Sequence, residues 1–80
     1  MAQLDNLLVI ARHLSMQFAA LISHHDKAED FIEDGHLEPF GEDDQKTILS
    51  VVQSMIDEVK QDRLYGVPSE IFMSRIKLKE

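Results

Sequence analysis

Ile48, Leu49, Val52, Met55, Ile56 and Val59 fall at offsets of 0, 1, 4, 7, 8 and 11 along the chain. That spacing puts six apolar side chains on one side of a 3.6-residue helix, whereas a strand would need alternation every second residue. Lys46, Ser50, Gln53, Ser54, Asp57, Glu58 and Gln61 fill the rest of the surface. Glu42, Asp43 and Asp44 open the segment, where the positive end of a helix dipole favours anions. The pattern predicts a helix over about 42–64.

A second helical pattern runs from Leu4 to His25. Leu4, Ala11 and Phe18 recur at seven, as do Leu7, Leu14 and Leu21, with Leu8 and Ile22 alongside. On a wheel these residues form one broad arc, the core-facing stripe expected of a helix over 3–25. On the opposite side Val9, Met16 and Ala20 fall within about 40° of one another, bordered by Arg12, His13 and Gln17. A helix that is apolar on two faces contacts two things. One is its own domain. The other is a symmetry mate, a partner or, on the plainer reading, a further helix of the same small bundle.

Between the two long helices, Asp26-Lys27-Ala28-Glu29 fits a capping box and opens a short helix over 27–34, with Gly35 as its stop. This reading favours a break near residue 26; the alternative is one continuous helix over 3–34. Residues 35–44, "GHLEPFGEDD", form a connection with glycine near both ends, and Glu38-Pro39 disfavours helix before the proline. Leu37 and Phe40 are expected to turn inward there. Gly66 is the expected stop of the 42–64 helix, with Val67 making the contact that follows it. Pro68 and Glu70 then suit the first turn of a last helix over 68–77, although "RIKLK" alternates and also suits a strand or tail. The stretch "DRLYGVPSEIF", residues 62–72, resembles the closing LYxxIPxxVW segment of the Hha family, small bacterial helical modulators that act by binding a nucleoid protein. The resemblance covers eleven residues, has one residue fewer between Tyr65 and Pro68, and transfers no functional residue to this chain.

Eighty residues make one domain, 1–80, near the lower size limit for independent folding. A chain of that size buries roughly 60–65 % of its unfolded surface, so small scaffolds commonly add a disulfide, a metal or self-association. With no cysteine, a disulfide is excluded. The start "MAQLDNLLVIARHLS" lacks a basic region, and its apolar run ends at Arg12 and His13, so neither a signal peptide nor a membrane span is expected. The expected location is the cytoplasm. The net charge of −7 is concentrated: residues 26–44 hold nine acids against Lys27 alone, or −8, leaving +1 for the rest. Direct nucleic-acid binding, which needs clustered Lys and Arg, is therefore not expected.

No motif points to catalysis. There is no glycine-rich phosphate loop, no G-x-S-x-G and no cysteine nucleophile, so no catalytic residue is assigned and no enzyme is expected. In "HHDKAED", residues 24–30, His25 and Glu29 stand four apart and could share an ion with His36 or Glu33. A pair at that spacing is common, so the simpler reading is a solvated helix junction, and no metal or cofactor is assigned. An EF-hand register with Gly35 at position 6 puts Ile32 and Gly41 at ligand positions, which excludes that calcium loop.

The fold expected is all-α, a three- or four-helix bundle whose long first helix packs antiparallel against the 42–64 helix. The function expected is a non-enzymatic protein-interaction module that binds a protein partner and self-associates. Val9, His13, Met16 and Ala20 are its candidate contact strip, flanked by Asp30, Glu33 and Asp34. One alternative is an acidic decoy that mimics nucleic acid for a basic protein. A second is a helical domain stabilised by metal at His25 and neighbouring carboxylates.

Overall fold

The computed structural model describes the backbone of residues 2–21, 27–30, 32 and 34–77, and within these the side chains of residues 4–16, 27–29, 32 and 35–77. Every regular element among them is helical. They are α1 (Ala2–Leu21), a 3-10 turn (Ala28–Asp30), the short α2 (Asp34–Leu37), α3 (Glu42–Lys60) and α4 (Pro68–Arg75). None of these helices is long and apolar enough to cross a membrane.

One apolar core joins all of them. Leu7, Ile10, Ala11 and Leu14 enter it from α1, and Ile48, Val52, Met55 and Ile56 from α3. Ala28, Ile32, Leu37 and Phe40 close it from the connecting segment, and Phe72 enters from α4. Leu37 and Phe40 are thus turned inward, holding the acidic connection against the core. Phe72 is fully buried and anchors a helix only eight residues long. Truncating such a residue to alanine typically costs about 3–5 kcal/mol.

The stripe on α1 departs from the sequence expectation. Leu4 and Leu8 are 51 % and 42 % exposed, whereas Ile10 is buried at 1 %. Residues 7–11 are five consecutive apolar residues, which step round the whole helix circumference. Periodicity there leaves the direction of burial to the neighbouring elements. The sequence pattern pairs α1 with α3, yet the closest backbone approach of α1 is to α4. Helix α3 meets α1 mainly through side chains in the shared core.

The connecting segment is also more articulated than the pattern suggests. Residues 22–26, including Asp26 of the expected capping box, lie outside the described residues. A bend at Lys27 and the 3-10 turn after it rule out a continuous helix over 3–34 and replace the expected 27–34 helix with a single turn. The first N–H of that turn, on Ala28, is satisfied from α3, where Gln53 Oε1 accepts it at 3.0 Å. The start of the expected 35–44 connection is taken by α2. Its end is closed by a 2.9 Å bond from Phe40 N–H to the Leu37 carbonyl, across Glu38-Pro39.

Helix α3 ends at Lys60, four residues short of the expected boundary. Arg63 N–H donates to the Glu58 carbonyl at 2.7 Å and Asp62 N–H to the Val59 carbonyl at 3.0 Å. Those two bonds make a Schellman motif, with Asp62 at the left-handed position, φ 57°. Gly66, the expected stop, has φ 121° and instead forms the turn into α4. Val67 remains 48 % exposed rather than packing under that turn. Helix α4 starts at Pro68 and gives way to extended backbone at Ile76, whose φ is −75° and ψ 127°. No strand occurs among the described residues.

Candidate interaction surface

The exposed side of α1 is unusually apolar for a small acidic protein. Met16 is 80 % exposed, Val9 46 %, and Leu4 and Leu8 add the two half-exposed leucines of the first turns. Asp5, Arg12 and Ser15 interrupt this face with polar groups. Because the helix is rigid, Val9 and Met16 hold a fixed separation of seven residues, two turns apart on one side. Ala20 lies on α1, but its side chain is outside the described residues, as is that of Gln17.

His13, from the sequence-derived strip, and its neighbour Ser15 have roles beyond exposure. His13 is half-buried, and its ring faces that of His36 on α2, with centroids 6.2 Å apart and planes tilted by 59°. His36 Nδ1 is buried and has no hydrogen-bond partner. Ser15 reaches in the other direction: its Oγ accepts the Ser69 N–H at 2.9 Å. Val67, the residue before Pro68, offers no side-chain acceptor for the free N–H groups of α4. Ser15 therefore serves as a cap supplied from another helix.

The acidic half of the expected surface is only partly described. Asp30 and Asp34 are placed as backbone, in the 3-10 turn and at the first residue of α2, and Glu33 lies outside the described residues. His24 and His25 also lie outside them. Among the described residues no group of three or more His, Asp or Glu side chains converges as a metal site. Beside the 3-10 turn, Lys27, Ala28 and Glu29 face Lys46, Leu49, Ser50 and Gln53 of α3 across an open depression of about 510 Å³. Its breadth and mixed charge suit water better than a tightly held small molecule.

At the opposite end of α3, Arg75 of α4 makes a bidentate pair with Glu58. Nη1 bonds Oε2, and Nη2 bonds Oε1 at 3.1 Å. The Arg75 hydrogen bond holds the Glu58 carboxyl below the usual range, opposed by desolvation and aided by the charges of Arg75 and Arg63. The same contact raises Arg75. Both groups are partly exposed, so the pair positions α4 more than it stabilises the fold.

Four features escaped the sequence reading. Leu4 and Leu8 were read into the core-facing stripe of α1 and are instead half-exposed. Ser15 resembled any polar helix residue, because its role depends on where Ser69 arrives from 54 positions away. Tyr65, 77 % exposed with its hydroxyl bonded to the Asp62 carbonyl at 2.8 Å, was given no structural role. His36 was read only as a possible partner of His25, because nothing local shows that α2 brings it to His13. Comparison with known proteins returned no matching family profile, curated protein or solved structure, so the short Hha-like stretch over residues 62–72 is not extended to a family assignment.

Proposed function

We propose that this chain is a small, non-enzymatic, cytoplasmic interaction module that binds a protein partner through the outer face of α1 and self-associates through the same face. The observation that carries this reading is Met16, which stands 80 % exposed on the same side of α1 as the 46 % exposed Val9, on a helix whose other side is buried in the core. Apolar groups clustered on a surface favour removal from water in proportion to the area covered, about 25 cal/mol per Å². Methionine adapts its shape to an opposing surface at low strain. The absence of cysteine suits a reducing compartment. Antiparallel packing of α1 and α3 across their shared core belongs to this proposal, since it would leave the outer face of α1 free.

The test is solution mass by light scattering across a concentration series, for wild type and Met16→Asp. The expected result is a concentration-dependent dimer that becomes monomeric in the variant, with unchanged helical circular dichroism. A wild type that stays monomeric throughout removes self-association from the proposal.

The second reading, an acidic decoy for a basic nucleic-acid-binding protein, is favoured by the −8 charge of residues 26–44. Carboxylates arrayed like phosphates would speed encounter with a basic cleft and make it salt-sensitive. It predicts that changing Asp and Glu of this segment to Asn and Gln abolishes partner binding while Met16→Asp preserves it. The contact-strip reading predicts the reverse.

A further inference from the structure

The geometry points to a basic amphipathic helix of a protein partner as the occupant of the outer face of α1. This inference rests on the reading of that face as the docking surface, and it names the chemistry of what docks there. The segment that fits carries one apolar row with Lys or Arg along its edge.

Val9 and Met16 are exposed at 46 % and 80 % on one side of α1, two turns or about 10 Å apart. A narrow row of that length matches an opposing helix whose apolar residues recur at i, i+3 or i+4, and i+7. His13 lies between Val9 and Met16 along α1 and borders their strip, turned from it by about 40–60° on the wheel. Its ring faces that of His36, with centroids 6.2 Å apart. That contact sets α2 beside the middle of the strip. Asp34 and Glu38 stand two residues to either side of His36, and the Glu38 side chain is exposed. Neither Lys nor Arg occurs between Lys27 and Lys46. On the other edge of the strip, Arg12 and Asp5 are both exposed and offset each other in charge. The strip therefore has an acidic border on the α2 side and a balanced border opposite.

Charge also separates the possible occupants. A second copy brings a net charge of −7 against −7, and that repulsion opposes the apolar contact. A basic helix meets the same apolar row with the opposite sign, so at equal apolar area it outcompetes the second copy. Charges at the border of an interface act mainly on association rate and partner choice, whereas the central contacts set residence time. The acids of α2 accordingly speed arrival, and Val9 and Met16 hold the partner in place.

The probe is a fluorophore-labelled synthetic helix of about 18 residues with leucine on one face and lysine elsewhere, compared with a twin in which glutamate replaces lysine. Its association with the full chain, and its dissociation, are followed by stopped flow in about 0.1 M sodium chloride, where exposed charges interact over about 10 Å. The lysine helix is expected to bind one to one, and the glutamate twin at least tenfold more weakly. Glu38→Gln is expected to slow association about twofold and leave dissociation unchanged. Asp57→Asn, which removes one charge from the exposed side of α3, is expected to leave both rates unchanged. Met16→Asp, at a site too exposed to disturb the core, is expected to speed dissociation at least tenfold. The inference is overturned if the twin binds as well as the lysine helix, if Glu38→Gln and Asp57→Asn act alike, or if Met16→Asp leaves dissociation unchanged. Absence of binding by either helix at millimolar concentration also overturns it. A dimer that Met16→Asp still dissociates would in that case keep the docking face and make a second copy its occupant. Binding that Glu38→Gln abolishes and Met16→Asp spares overturns the inference in favour of the acidic decoy.

Discussion

Asp62 occupies a backbone conformation that side-chain-bearing residues avoid, with φ at 57°. Left-handed geometry costs an L-residue roughly 1–2 kcal/mol relative to glycine, and aspartate is among the residues that tolerate it best. Its position beyond the C-terminus of α3 also sets a negative side chain near the negative end of the helix dipole. Both effects oppose the residue, while the hydrogen bonds of the Schellman motif and the Tyr65 hydroxyl bond use only its backbone. Asp62→Gly therefore keeps every one of those bonds. It should raise stability by about 0.5–1 kcal/mol after the greater unfolded-state entropy of glycine is subtracted. A urea midpoint that stays put or falls in the variant would show that the aspartate side chain contributes something the backbone account omits. The position also explains why the helix stop was misplaced on sequence grounds. Gly66 offers the usual residue for a left-handed stop, but the apolar stripe of α3 ends at Val59, and once Met55, Ile56 and Val59 have been placed the helix has no further core to cover.

At the scale of elements, α4 is attached at three points. Ser15 caps its start, Phe72 fills the core from its middle, and Arg75 at its end grips Glu58 of α3. Glu58 makes the last of these attachments dependent on pH. Its folded-state pKa lies below the ordinary value of 4.5, chiefly because of the Arg75 hydrogen bond. A group with a depressed folded pKa contributes stability that is fully present above its unfolded pKa and is lost as pH falls through the folded one. Comparing thermal melts of wild type and Glu58→Gln should thus give a constant gap at neutral and mildly acidic pH, closing below about pH 4.5. A gap that persists in full at pH 2 would mean that the glutamate acts through packing and not through charge. Much of this architecture was legible in the sequence: the all-helical class, the Pro68 start of α4 and the inward turn of Leu37 and Phe40 each follow from local pattern. What was not legible depends on long-range placement. The close approach of α4 to α1, the cap from Ser15 to Ser69 and the facing of His13 with His36 all join residues that no periodicity links. The candidate strip was half-visible for the same reason, since Val9 and Met16 oppose the main stripe while Leu4 and Leu8 appeared to belong to it.

For the molecule as a whole, charge and size pull in opposite directions. In an 80-residue domain the net stability is a small difference between large terms, so a modest electrostatic term can change it noticeably. Residues 26–44 carry −8, and among the described residues the only bidentate ion pair lies outside that segment, between Glu58 of α3 and Arg75 of α4. Repulsion within the segment should then outweigh the gain from that exposed pair. Screening lengths shrink from about 30 Å at 10 mM salt to about 8 Å at 150 mM, so salt in this range relieves repulsion between acids spread across the segment more than it weakens two groups in direct contact. The melting temperature should accordingly rise by about 3–6 °C over that range, the equivalent of roughly 0.5–1 kcal/mol for a domain of this size. Sodium chloride and a chloride of a bulkier monovalent cation should act alike, because screening does not distinguish them. Melting that falls with added salt would place the balance with attractive pairs. Running the series at two protein concentrations separates a third contribution. Self-association through Val9 and Met16 makes stability rise with protein concentration at every salt level, whereas relief of repulsion within one chain does not.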